Sequence, residues 1–178
     1  MKTSQQYSKV KRVYYDISSG LRSEAREIKE QVCFDSTSEF NCYRTISSYF
    51  CPPLFDIDIH STLDFGSIRW KVDFQITARR NQPVASAMLA ELVNTFHDTT
   101  HTSLAQIFIE YKGVQDNNFI NKMSQLSSIT PMFAKTIILV SDHNAAFGCY
   151  DTNRKRFYTH PIVSIGLLES TLRQIVQG

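Results

Sequence analysis

His97 and His101 are the first residues whose types and spacing suggest chemistry. Four positions apart on a helix, two imidazoles can reach one zinc ion. The surrounding residues argue against it: Glu91 completes no HExxH pattern, and Asp98-Thr99-Thr100 favours a helix that ends before His101. The pair reads as polar residues at a helix exit, and no metal is expected. A nucleophilic set can be drawn from Cys149, His143 or His160, and Asp142 or Asp151. Yet an alternating strand turns Cys149 inward beside Phe147, where it reads as a small apolar core residue. The acid pairs Asp56/Asp58 and Asp142/Asp151 come with no partner pattern for general acid–base work. GxSxG, P-loop and GxGxxG motifs are missing, and 6 glycines leave little for a phosphate-cradling loop. The expectation is a non-enzyme with no cofactor and no small-molecule substrate. A small hydrolase built on Cys149 and a histidine stays open as a minor class.

The chemistry that remains belongs to surfaces. Lys2, Lys9, Lys11 and Arg12 fall within MKTSQQYSKVKR, which holds no acid and no apolar stripe. That composition predicts a mobile basic arm, suited to anionic lipid headgroups or to phosphates. Each Lys or Arg near an anionic bilayer is worth about 1 kcal/mol. Arg79-Arg80 and Arg154-Lys155-Arg156 sit at strand ends or tips and would add to the arm if they share its side. Against them, 19 Lys+Arg and 17 Asp+Glu give a net charge of only +2, so a global nucleic-acid signature is absent. The chain of 178 residues is 42% apolar, which suits a single folded domain and excludes disorder throughout. Cys33, Cys42, Cys51 and Cys149 are spaced as reduced thiols, and no apolar run reaches a membrane span or a signal peptide. A soluble, cytosolically made protein is expected.

These residues need elements to position them. Residues 1–15 read as the arm, 16–53 as a helix and connector, and 54–178 as one globular core. Leu21, Ala25, Ile28 and Val32 predict a helix over Gly20–Val32, with Asp16, Ser18 and Ser19 as caps. Residues 33–53 read as a connector stiffened by Pro52-Pro53. Phe55, Ile57 and Ile59 alternate with acids, as a strand does. After a turn at Asp64-Phe65-Gly66, Trp70, Val72, Phe74, Ile76 and Ala78 predict one strand with one buried face. Pro83 opens a helix marked by Val84, Met88, Leu92 and Phe96. A strand over Leu104–Tyr111, a doubly apolar strand Ile137–Val140, a hairpin around Thr152–Lys155 and a helix through Ile165, Leu168, Leu172 and Ile175 follow. The order implies an α+β fold: a mostly antiparallel sheet packed on one side by two or three helices.

The segment Ile68–Gly113 resembles the central part of rhabdovirus matrix proteins. An aromatic strand, Trp70-Lys71-Val72-Asp73-Phe74-Gln75-Ile76-Thr77, runs into Arg79-Arg80-Asn81-Gln82-Pro83, the helix Val84–Phe96 and the strand Leu104–Gly113. PPxY and PTAP are lacking, with Phe55 where a PPxY tyrosine would stand, which suits a plant-infecting, cytorhabdovirus-like member. The resemblance implies a structural protein of the virion that self-associates, condenses the nucleocapsid and ties it to the inner face of the envelope during assembly and budding. Its implied partners are other copies of itself, the nucleoprotein–RNA, anionic membrane and the tail of the envelope glycoprotein. Its implied places are beneath the envelope, the host cytoplasm and the inner membrane surface. In that family a segment upstream of the core hooks onto the next molecule; here Pro52, Pro53, Leu54 and Phe55 hold the corresponding place. The alternative is a small viral RNA-binding accessory protein or silencing suppressor, using the same cations with exposed aromatics as stacking platforms.

Overall fold

The computed structural model describes residues 12–23, 31–112, 117–151 and 156–177. The chain divides into two compact units, Met1–Tyr43 and Arg44–Gly178.

The first unit holds β1 (Val13–Asp16), β2 (Arg22–Ser23) and β3 (Gln31–Phe34), antiparallel in the order β2-β1-β3. The expected helix over 20–32 is not formed at either described end, because Asp16 does not cap a helix. Its Oδ1 accepts the amides of Ser18 and Ser19, and Gly20 at φ 70 completes a turn that folds β2 back on β1. Residues 24–30 lie outside the described residues. The expected arm is shorter too, since Val13 and Tyr15 are buried strand residues. The expected connector is instead largely helix, α1 (Thr37–Tyr49). Ser36 Oγ accepts the Glu39 amide at 3.0 Å, and Glu39 Oε2 accepts the Asp35 amide at 2.8 Å, a reciprocal cap of the S-x-x-E kind. Tyr15 stacks on Phe40, while Phe34 meets both rings edge-on.

In the second unit come β4 (Phe55–Ile59), β5 (Thr62–Asp64), β6 (Arg69–Lys71), β7 (Phe74–Ala78) and α2 (Pro83–Phe96). They are followed by β8 (Gln106–Tyr111), α3 (Asn117–Ile129), α4 (Pro131–Ala134), β9 (Ile137–Ser141), β10 (Ala145–Asp151), β11 (Arg156–Ser164) and α5 (Ile165–Gln177). Six strands form one sheet in the order β10-β11-β9-β8-β7-β4, with β5-β6 a separate ribbon. The fold is α+β, as the element order implied. Antiparallel pairing dominates, but β8/β9 is parallel across the α3–α4 crossover, and β9/β11 is parallel because β10 runs back on the far side of β11.

Helices cover both faces at the centre and not one side as expected, because β8 and β9 are apolar on each side. Phe108, Ile137, Leu139 and Ile162 join Phe119, Met123 and Leu126 of α3 in one cluster. The intervening Ile107, Ile109, Ile138 and Val140 are also buried, toward α2 and α5.

The expected single strand through Trp70 and Phe74 is broken at Val72-Asp73. Trp70 and Val72 belong to the α3 cluster, whereas Phe74 and Ile76 align with Ile109 and Ile107 on the other face. All four are buried, so composition hid the break.

Candidate functional site

The break is held by a buried carboxylate. Glu110, in β8, is 2% exposed. Its Oε1 accepts the Trp70 indole N–H at 3.3 Å and lies 2.7 Å from Lys112 Nζ, and its Oε2 accepts the Asp73 amide at 3.1 Å. Asp73 Oδ2 in turn accepts the Tyr111 amide at 2.7 Å. Burial pushes the Glu110 carboxyl above its usual range, while Lys112 and the donated hydrogen bonds pull it back. The cluster satisfies a buried charge and fixes where β6 turns into β7.

A second buried polar group sits at the start of β9. His97, which follows α2, and His160, in β11, each place Nε2 3.2 Å from the Ile137 carbonyl. Their rings meet edge-on at 4.9 Å. The helix ends at Phe96, with His97 extended at φ −124 and ψ 150, so the i, i+4 geometry of a His97/His101 zinc pair is not formed. Asn94 builds the exit instead, donating to the His101 carbonyl and accepting from the His101 amide and the Thr99 hydroxyl. Of the nucleophilic set, His160 is committed to Ile137, His143 lies in an exposed loop, and the Cys149 side chain is outside the described residues.

Few of the candidate cations fall among the described residues. Lys2, Lys9, Lys11, Arg154 and Lys155 lie outside the described residues, as does the side chain of Arg156. Arg12, Arg79 and Arg80 are exposed. Arg79 donates from Nε and Nη2 to Asp56 Oδ1, which holds its guanidinium pKa above the ordinary value and offsets its charge toward other anions. Arg80 stands two residues before Gln82, the N-cap of α2, and Val84 in the first turn of that helix is 63% exposed.

The candidate self-association segment splits in two. Pro52 and Pro53 are exposed, joined by a cis bond, and Leu54 is half-buried. Phe55 is 1% exposed and packs edge-on against Phe50 at 5.0 Å, so it belongs to the core and is not part of any partner-facing surface. What the segment leads into is more informative. β4 is the end strand of the six-stranded sheet. Arg79 and His60 donate their amides to Leu54 and Asp73, which sets the alternation of the β4/β7 ladder. By that alternation Asp56 and Asp58 bond to β7, and the amides and carbonyls of Ile57 and Ile59 point outward. Among the described residues no hydrogen-bond partner appears for them. Residue types alone could not reveal this edge, because it depends on which strand β4 joins.

No protein-family model, no curated protein and no solved structure matches the chain.

Proposed function

We propose that the chain is a structural protein of the viral matrix class. It self-associates, condenses nucleocapsid and anchors it to the inner face of an envelope membrane. The observation that carries the reading is the outer edge of β4, unpaired among the described residues and entered through the exposed Pro52-Pro53. An edge strand is a ready template for another chain, and the prolines restrict the backbone leading into it. The resemblance of residues 68–113 to matrix proteins supports the same class. The near-neutral total charge suits a protein that packs against its own copies. Cations in residues 1–12, with the exposed Arg80 and Val84, supply anionic-surface contacts.

The test is sedimentation of purified protein across salt concentrations, with and without anionic liposomes. Large, salt-sensitive assemblies formed without RNA, and liposome binding lost at high salt, are expected. A monomer that stays monomeric at low salt and binds RNA tightly would replace this reading with the RNA-binding one.

A further inference from the structure

We propose that His97 and His160 form an acid-sensitive latch, tying the end of α2 and the strand β11 to the first residue of β9. The geometry is a shared acceptor. One carbonyl oxygen has two lone pairs, and the Ile137 oxygen faces Nε2 of both rings at 3.2 Å. Both neutral imidazoles can therefore donate at once, each carrying its proton on Nε2. The parallel ladder between β11 and β9 begins only at Ile162 opposite Leu139, so the rings take the place of backbone pairing at Ile137. The two histidines come from elements joined nowhere near each other in sequence, and the contact closes this end of the sheet.

The pair is buried, His160 at 1% and His97 at 8% exposure. Its surroundings favour the neutral rings. β9 brings only apolar side chains, Ile137 to Val140. On the chain just after α4, Lys135 acts on His97 as a like charge, its ammonium held by the Asp98 carbonyl at 3.1 Å. Asp98 itself is exposed, and His101 lies in the same exit loop. Burial, opposed by the Ile137 hydrogen bond and reinforced by Lys135, lowers His97 to about 4. Burial, reinforced by His97 and opposed by Ile137, lowers His160 to about 3. Both values lie below the ordinary 6.5, so stability from the pair is complete above that pH and falls as pH drops toward 4. Opening the latch returns both rings to water, where each takes up a proton. Between pH 6 and pH 5 the opening equilibrium therefore rises about 60-fold for two histidines and about 8-fold for one.

The experiment is amide hydrogen exchange on the full chain between pH 6 and pH 5, corrected for intrinsic rates and read at residues 137–140, 160, 162 and 163. The parent should follow the two-proton dependence. His97→Gln and His160→Phe should each reduce it to the one-proton value. A parent dependence of one proton or none overturns the latch, as does an unchanged dependence in the variants. If a variant does not fold, ring titration of the parent by NMR decides. Histidines 97 and 160 that stay neutral to pH 5 support the latch, and protonation of either above pH 6 in the closed state overturns it.

Discussion

Lys112 Nζ stands 2.7 Å from the buried Oε1 of Glu110 and 4.6 Å from the centre of the Phe119 ring. The ammonium thus neutralises the carboxylate from β8 while resting on a face of α3. Removing either partner has a different cost. Lys112→Met leaves a charge in the core without its counter-charge and should cost about 3 kcal/mol, the low end for a broken buried pair, because Lys112 itself reaches solvent. Glu110→Gln turns one acceptor into a donor, leaving either the Trp70 indole or the Asp73 amide unmet, and should cost about 1–2 kcal/mol.

The pH dependence of that pair has a defined sign. Glu110 titrates above its ordinary 4.5 in the folded chain, so its contribution is greatest below that pH and declines as pH rises. Without Lys112 the upward push is stronger. In urea unfolding, the deficit of Lys112→Met should be larger at pH 8 than at pH 5. An equal deficit at both would mean that the carboxylate stays solvated.

The broken strand gives a packing test. Phe74 is fully buried toward Ile109, so Phe74→Ala should cost roughly 3–5 kcal/mol. Lys71 is exposed, and Lys71→Ala should cost less than about 0.5 kcal/mol. Because Trp70 and Phe74 lie on different faces, Trp70→Phe and Phe74→Leu should add in the double variant to within about 0.5 kcal/mol. Strong coupling between them in a double-mutant cycle would mean a shared cluster.

The two buried polar groups were the least legible features. Alternation in Phe55–Ile59, the Pro83 start of α2 and the apolar run Ile137–Val140 showed the elements of the second unit, since each signal is local. In Trp70–Ala78 the period of two continues through Val72 and Phe74, so nothing local marks the face change. It depends on Glu110, about forty residues later, accepting the Asp73 amide. His97 looked like half of a local i, i+4 pair, whereas its partner is His160, in another strand. Phe40, Cys42 and Ile46 of α1, with Phe50 just after it, are buried but hidden in a Ser- and Tyr-rich stretch; the Ser36/Glu39 cap was the signal that could have found the helix.

The basic arm is expected to act through charge alone. Changing Lys9, Lys11 and Arg12 together to Glu should abolish most flotation with anionic liposomes at low salt and leave the melting temperature of the second unit unchanged. Flotation equal to the parent would move membrane binding away from residues 1–12.

The edge of β4 gives the sharpest test of self-association. If another chain pairs with it, the outward amides of Ile57 and Ile59 exchange rapidly in the monomer at high salt and become protected in the assembly at low salt. The amides of Asp56 and Asp58, already bonded to β7, should be protected in both states. Asp56 and Asp58 are exposed on this strand, so a symmetric antiparallel pairing of two β4 edges centred on Ile57 would set Asp58 opposite Asp56 of the second copy. That repulsion predicts assembly that strengthens when Asp58 becomes Asn if the pairing is β4 to β4, and assembly that weakens if the incoming strand is basic. Pro52→Ala separates the edge from its approach. Pro52 is exposed and Pro53 is kept, so the monomer should keep its melting temperature within a few degrees while the assembly midpoint shifts to higher protein concentration. Ile57 and Ile59 amides that exchange equally fast in monomer and assembly would place the contact elsewhere on the molecule.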